Sequence, residues 1–420
     1  GVVYNEMLGA TSSPESVLVD ELESALYPDN VYGRKSGGKP EAIPELTYEQ
    51  FCEFHRQYYH PSNSRTVLYG DFDVAERLAH LAEFLDDYDR LEIDSAITPH
   101  PRFTAPVTAD KTYPITPGSE TENKAYVLRA WSMAAPTDPE THLALTILTR
   151  ILTGTPASPL RKALIDSHLG EDVQAWHSRD ILDTYYAVGL KGTEDERRPE
   201  IIGIIEATLA RLVRDGLDQR TVEAAVNSIE FRLREANFGG LSKGLIYALQ
   251  MDAAWLYDAD PLTMLKYEAP LAAVRAKAAA GGFFEELIRE HLIDNRHYVD
   301  LTLTPDEAFE EQRLQQLRDR LAAEKTTFDA AAVNDLIAAC DDLRQAQLRP
   351  DSPEALATIP KLPLNSIDRE AEVYPFETVA AGPPVTFAEQ PTNGIAYLKV
   401  VFDAREIGRA SCRERVCHRV

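Results

Sequence analysis

The chain has 420 residues, 44% of them hydrophobic, and a formal net charge of -25. Such a length allows about three ordinary domains. The acidic excess repels nucleic acid and anionic membrane, which leaves solubility or the steering of basic and neutral partners as its use. No apolar run approaches the roughly 20 residues that cross a bilayer. Four cysteines without paired spacing make no disulfide framework and point to a reducing compartment.

The sequence opens without a methionine, inside the helical pattern "GVVYNEMLGA" (Gly1–Ala10). No signal or transit segment is visible, both ends read as cut, and the chain is expected to be a fragment. In "SPESVLVDELESAL", Ser13 takes a cap position and Pro14 the first helical position, with apolar residues at helical period. "LTYEQFCEFHRQYYHPSN" predicts a helix opened by Thr47 and closed in a turn at His60–Asn63. "SRTVLYGDF" predicts a strand. "VAERLAHLAEFLDDY" predicts an amphipathic helix with Val74, Leu78, Leu81 and Leu85 on one side. Residues 91–117, rich in Pro and Thr, predict a linker.

A second unit starts with the strand "KAYVLRAWS". Asp138 and Pro139 open a helix that stops at Gly154, and Ser158 and Pro159 open another that stops at Gly170. "DVQAWHS" and "TYYAVGLKG" predict strands, the second apolar enough for a central position. Ile201, Ile205, Leu209 and Leu212 line one long helix, and Val222, Val226, Ile229 and Leu233 line the next. "RHYVDLTLTPD" predicts a closing strand. Grouped strands and packed helices give an α+β class rather than a repeating βαβ wind.

Two highly charged helices with narrow apolar stripes, Pro305–Lys325 and Asp329–Gln347, predict a helical hairpin. A proline-studded stretch leads to "PTNG", a turn between strand-like runs. The last stretch, Glu406–Val420, carries four arginines against two glutamates after an acidic chain. It resembles a translated sequencing-adapter read-through and is set aside, which leaves Cys52 and Cys340 as the genuine cysteines.

Glu6 raises the chemical question. It shares a helix face with Val2 and Val3, and its mostly apolar neighbours predict a helix enclosed on several sides. A bare carboxylate there is costly or takes up a proton. Spacing alone leaves three outcomes open: a pair with an arginine, a route to solvent past a frayed end, or a cation. No His-x-x-x-His or His-x-x-Glu-His occurs. Cys52, His55 and His60 do not converge as ligands and read as core and turn residues, and so do His291 and His297. "GRKSGGKP" and "NFGGLSKG" lack the ordered phosphate cradle and read as turns. No Ser or Cys nucleophile stands in a recognisable elbow.

Taken in order, "GVVYNEMLGA", "YPDNVYGRKSGGKPEAIPELTYEQF", "FHRQYYHPSNSRTVLYGDF", "SPLRKALIDSHLG" and "QPTNGIAYLKV" resemble the presequence-protease branch of the inverzincin metallopeptidases. That branch includes falcilysin-like enzymes and is related to insulin-degrading enzyme and pitrilysin. The resemblance runs from Gly1 to about Ala404 and includes the hairpin at 305–347. It implies insulinase/pitrilysin-type (LuxS/MPP-like) metallohydrolase domains, each an antiparallel sheet with packed helices, plus a helical-hairpin linker. On this reading 1–100 is the C-terminal part of a first peptidase domain and 101–304 is a second, peptidase-like domain. Residues 305–365 are the hairpin linker, and 366–405 are the truncated start of a third domain.

In that family zinc is held by the two His of an H-x-x-E-H helix and by a later Glu in the "NEM" stretch, which Glu6 matches. The general base is the Glu inside H-x-x-E-H, expected upstream of Gly1, so no catalytic residue is expected in this chain. Leu8 stands where the family usually has Lys, which puts nearby contacts in doubt. The resemblance implies zinc-dependent hydrolysis of unstructured peptides in a closed chamber by a monomer that binds neither nucleic acid nor membrane. It implies no activity in the fragment itself. A noncatalytic scaffold or subunit of the same superfamily is the alternative, and a peptide-binding module without hydrolysis a third. The Ala-, Asp- and Arg-rich composition points to bacterial cytoplasm, with an organelle as the eukaryotic counterpart.

Overall fold

The computed structural model describes residues 1–402 apart from 11, 372, 374, 381 and 383. The expected adapter-derived segment 406–420 and the end of the expected third-domain start, 403–405, lie outside the described residues. Two compact units, Gly1–Leu314 and Gln315–Val420, divide the chain. Among the described residues no helix is long and apolar enough to cross a membrane.

The first unit begins with helices α1 (Val2–Ala10), α2 (Pro14–Leu26), α3 (Tyr48–Tyr58) and α4 (Val74–Leu85). Their starts follow the predicted chemistry. Ser13 accepts the Ser16 N–H ahead of Pro14, Thr47 and Gln50 form a reciprocal capping box, and Asp73 caps α4. The turn at His60–Asn63 is a single 3₁₀ turn over Pro61–Asn63. The predicted strand at 64–72 does not form: among the described residues no strand pairs with it, and Leu68 and Tyr69 are exposed. A β-prone run becomes a strand only when another strand offers its backbone groups.

Strand β1 (Val107–Pro114) falls inside the predicted linker. Its partner is the last strand of the unit, so the signal for it is remote in sequence. The segment before it is also fixed. The His100 backbone N–H donates to Asp183 (3.0 Å), and Arg102 donates to the carbonyls of Ser132 (3.0 Å) and Met133 (2.6 Å). Buried His297 lies at 2.9 Å from the Leu26 carbonyl through Nε2, and its ring packs on Phe103.

Next come β2 (Ala125–Ser132), α5 (Pro139–Thr153), α6 (Pro159–Asp166), β3 (Asp172–Ser178) and β4 (Tyr185–Thr193). They are followed by α7 (Arg198–Asp215), α8 (Gln219–Glu235), α9 (Lys243–Trp255), α10 (Glu268–Ala280), α11 (Phe283–Ile288) and β5 (Tyr298–Asp306). The sheet order is β1-β5-β2-β4-β3. Three pairings are antiparallel as the class implies; the fourth, β1 on β5, is parallel and makes the sheet mixed. The predicted apolar strand β4 is interior.

Alternation sorts the side chains. Val127 and Trp131 of β2 and Tyr186, Val188 and Leu190 of β4 face a core built with α5, α6, α7, α8, α10 and α11. Leu128, Ala130, Tyr185 and Ala187 face the other way, where α2 lays Leu18, Leu22 and Leu26 across the sheet. Residues 1–100 thus share a unit with the sheet through α2.

One buried charge interrupts the first core. Arg129 of β2 is 5% exposed and lies between Val127 and Trp131 on the strand. Its guanidinium forks onto Asp300, its cross-strand neighbour on β5, at 2.6 and 2.7 Å, and reaches Glu206 of α7 at 2.7 Å. The Tyr298 ring lies beneath it at 4.1 Å. Burial opposes the charge, yet the two carboxylates raise the arginine's pKa above its ordinary value.

Helix α12 (Phe309–Lys325) carries the chain into the second unit at Gln315, and α13 (Ala330–Leu348) follows, capped by Asp329. These are the two charged helices of the predicted hairpin; Pro305 and Asp306 belong to β5 instead. Helix α14 (Pro353–Ala357) precedes a two-stranded antiparallel pair, β6 (Glu377–Ala380) and β7 (Pro384–Phe387). The "PTNG" turn forms, with Asn393 and Gly394 at positive φ and the Ile395 N–H donating to Thr392 at 3.1 Å. Residues 395–402 form no strand after it, and no described strand pairs with them.

Candidate functional site

Glu6 sits near the middle of α1. Tyr4, Met7 and Leu8, spaced three and four apart, form the half-buried face of this helix. Met7 rests against the glycine-rich turn: a Cβ at position 37 would lie 2.2 Å from Met7 Sδ, so a side chain there would oblige the flexible thioether to move. "GRKSGGKP" is therefore a turn, as read, and its Lys35 ties back to Asp20 of α2 at 2.5 Å.

The outward face carries Val2, Val3, Asn5 and Glu6. Val2 is 80% exposed and Val3 55%, and Glu6 is exposed with them. The expectation of a helix enclosed on several sides does not hold for these residues. Periodicity marks which side chains share a face; the described residues cover only the face of Tyr4, Met7 and Leu8.

A catalytic zinc takes three protein ligands plus water. Among the described residues, Glu194, Asp195 and Glu196 are the one group of three or more candidate ligands with their atoms within 4.8 Å of each other. Glu6 is outside it. One exposed carboxylate does not make a zinc site, so these residues do not by themselves fit the metal.

The cysteine and histidines set aside in the sequence stay apart from Glu6. His55 stacks on Tyr59, and His60 Nδ1 accepts the Ser62 N–H at 3.1 Å in the turn. Cys52 is a half-buried free thiol of α3, and Cys340 is exposed on α13. His297 is bound into the buried cluster beneath α2.

Two further histidines are more perturbed. Burial pushes His177 of β3 down to about 3 and His142 of α5 down to about 4, helped by the nearby Arg179. Both stay neutral in the fold but regain an ordinary value near 6.5 when it opens. Below that pH the unfolded chain binds more protons, so stability falls as pH drops toward 4 and is flat above 7. We expect a loss on the order of 2 kcal/mol for each histidine between pH 7 and pH 5, so about 4 kcal/mol for the wild type and about half of that for His177→Asn. Urea melts of the wild type and His177→Asn at both pH values check this; equal pH slopes would refute it.

With this geometry in hand, similarity to known proteins decides the family. The profile described as "Peptidase M16 inactive domain" matches residues 45–229, and the profile for the segment associated with subfamily C of the M16 peptidases matches 303–412. Protein HypA of Clostridium perfringens is 37% identical over 97% of this chain and 42% of its own length. Presequence protease 1 of Arabidopsis thaliana is 39% identical over 96% of this chain and 38% of its own. The chain is a presequence-protease-like member of the M16 peptidase family.

It spans about two fifths of the length of those M16 relatives. A solved protease from Helicobacter pylori superposes with a TM-score of 0.58 at 17% identity, covering 72% of this chain and 70% of that one, and shares the M16 fold. The subfamily-associated match begins in β5 and takes in helices α12 and α13. Sequence reasoning missed Arg129, the anchoring of residues 99–103 and the two neutral histidines. Each depends on partners from distant elements, and only the lone charge in "YVLRAW" gave a local sign.

Proposed function

We propose that this chain is the portion of a zinc metalloendopeptidase of the presequence-protease type that presents the third metal ligand and carries a noncatalytic peptidase-like domain. In this reading the complete polypeptide degrades unstructured peptides within a closed chamber, and Glu6 completes a zinc site whose two histidines and general base lie outside this sequence. Residues 1–100 close a first peptidase domain, 101–304 form a second, 305–365 link the halves and 366–405 open a third. The partners are extended peptides rather than nucleic acid or membrane, and the working unit is a monomer in bacterial cytoplasm or an organelle.

The observation that carries this reading is the match over 97% of the chain to a relative of more than twice its length. The outward presentation of Glu6 on a helix braced by Met7 and Gly37 supports it. A second reading, a scaffold without metal chemistry, draws on the "inactive domain" description of residues 45–229.

Metal analysis separates the two. After dialysis, the 420-residue chain should retain far less than one zinc and cleave no fluorogenic peptide; tightly held stoichiometric zinc would refute the ligand assignment. In a polypeptide of the relatives' full length, Glu6→Gln should weaken zinc by more than the roughly 10–100-fold that loss of a ligand's supporting partner costs. Unchanged zinc content and turnover in that variant would refute Glu6 as a ligand, whereas a full-length polypeptide with neither zinc nor turnover would leave the scaffold.

A further inference from the structure

On the helical side of the first unit, a cavity of about 590 Å³ opens between α5, α8, α9 and the 3₁₀ turn Thr263–Leu265 that precedes α10. Its apolar wall includes Leu143, Ile229, Leu233, Ala253 and Met264, of which Leu143, Ile229 and Ala253 are buried. The size and lining suit a small ligand with an apolar body.

The polar groups at this cavity are unevenly charged. Arg232 and Lys266 both line it, are exposed, and have no ion-pair or hydrogen-bond partner for their side chains among the described residues. Arg150 lies close enough to feel the charge of Arg232. The one acid in the lining, Asp180, already faces Arg179 at 3.7 Å. In a chain with a net charge of -25, this mouth is locally cationic. Cations left unpaired at the rim of an apolar cavity match an anion carried on an apolar body.

We propose that this cavity binds a small amphipathic carboxylate, its apolar body against Leu143, Ile229 and Met264 and its carboxylate at Arg232 and Lys266. Arg232 supplies a planar two-pronged donor and Lys266 a flexible point charge. His142, held neutral by burial, and the Tyr267 hydroxyl line the same space and offer hydrogen bonds without adding charge. The binding is independent of the peptidase reading, because no residue of the cavity belongs to α1.

Such a carboxylate has two natural sources, a fatty acid or the apolar C-terminus of a short peptide. Calorimetric titration of the 420-residue chain with decanoate and with N-acetyl-Leu-Phe, each beside its neutral amide, distinguishes them. At least one acid should bind at a single site, with its amide at least about 10-fold weaker, equivalent to about 1.4 kcal/mol. Decanoate alone would identify the fatty-acid source, and the dipeptide alone the peptide source. Arg232→Gln/Lys266→Gln, at two exposed positions, should melt like the wild type yet lose the preference for acid over amide. Absence of saturable binding up to millimolar ligand, equal affinity for acid and amide, or full affinity in the double variant would each overturn the proposal.

Discussion

Arg129→Met is expected to destabilise the first unit by about 3–5 kcal/mol, the cost typical of breaking a buried ion pair from one side. Methionine fills much of the arginine's volume, so the loss comes mainly from charge. Asp300 would be left beneath α7 without its two guanidinium bonds of 2.6 and 2.7 Å, and Glu206 without its 2.7 Å bond. Asp300 is the more enclosed of the two carboxylates, with a side chain 16% exposed against 57% for Glu206. The main penalty therefore sits on the sheet, and the α7 contact contributes less. The double variant Arg129→Met/Asp300→Leu should recover most of the loss, because replacing both partners by apolar groups removes the stranded charge. Chemical denaturation of the three proteins at pH 7 decides it. A single variant that costs under about 1 kcal/mol would mean that the pair behaves like a surface bridge.

Gly189→Val is expected to cost about 3 kcal/mol, the upper part of the range for forcing extra atoms into packed structure. Gly189 of β4 lies opposite Leu128 of β2, and a Cβ there would come within 2.0 Å of the Val127 carbonyl oxygen and 2.6 Å of Leu128 Cα. Both obstacles are backbone, so no rotamer relieves them. The strands would have to part at the centre of the sheet, where β2 also holds β5. Gly189→Ala, with one carbon, should show a smaller loss of the same kind. Thermal melts of the two variants should rank wild type, Ala, Val in falling order; a valine variant as stable as the wild type would contradict the close approach.

How far the sequence reveals this fold depends on how local each signal is. Ser13 with Pro14, Thr47 with Gln50 and Asp138 with Pro139 announce helix starts within a turn, and those starts stand where they were expected. Continuous apolar runs announce β2 and β4 because interior strands bury both faces. Residues 107–114 carry no such run, since β1 is an edge strand that alternates with exposed polar side chains; its identity rests on β5. The reverse error occurs at 64–72, where "TVLY" has strand propensity and no strand partner among the described residues. For Glu6, sequence similarity identified the residue as a ligand candidate, and helical spacing correctly grouped it with Val2 and Val3. Spacing does not say which side of a helix the remainder of the chain covers. The cationic cavity was illegible for a related reason: its wall gathers residues from four helices and a turn, none unusual within its own segment.

The parallel pairing of Val107 with Val299 carries a consequence for biosynthesis. During translation at about 5–20 residues per second, β1 leaves the ribosome roughly 10–40 s before β5, its ladder neighbour among the described residues, is made. Throughout that interval the nascent polypeptide holds an unpaired strand, and the domain cannot close until its last strand has been delivered. Completion of the sheet is thus timed by the far end of the domain, which makes the junction between β5 and α12 the checkpoint for its assembly.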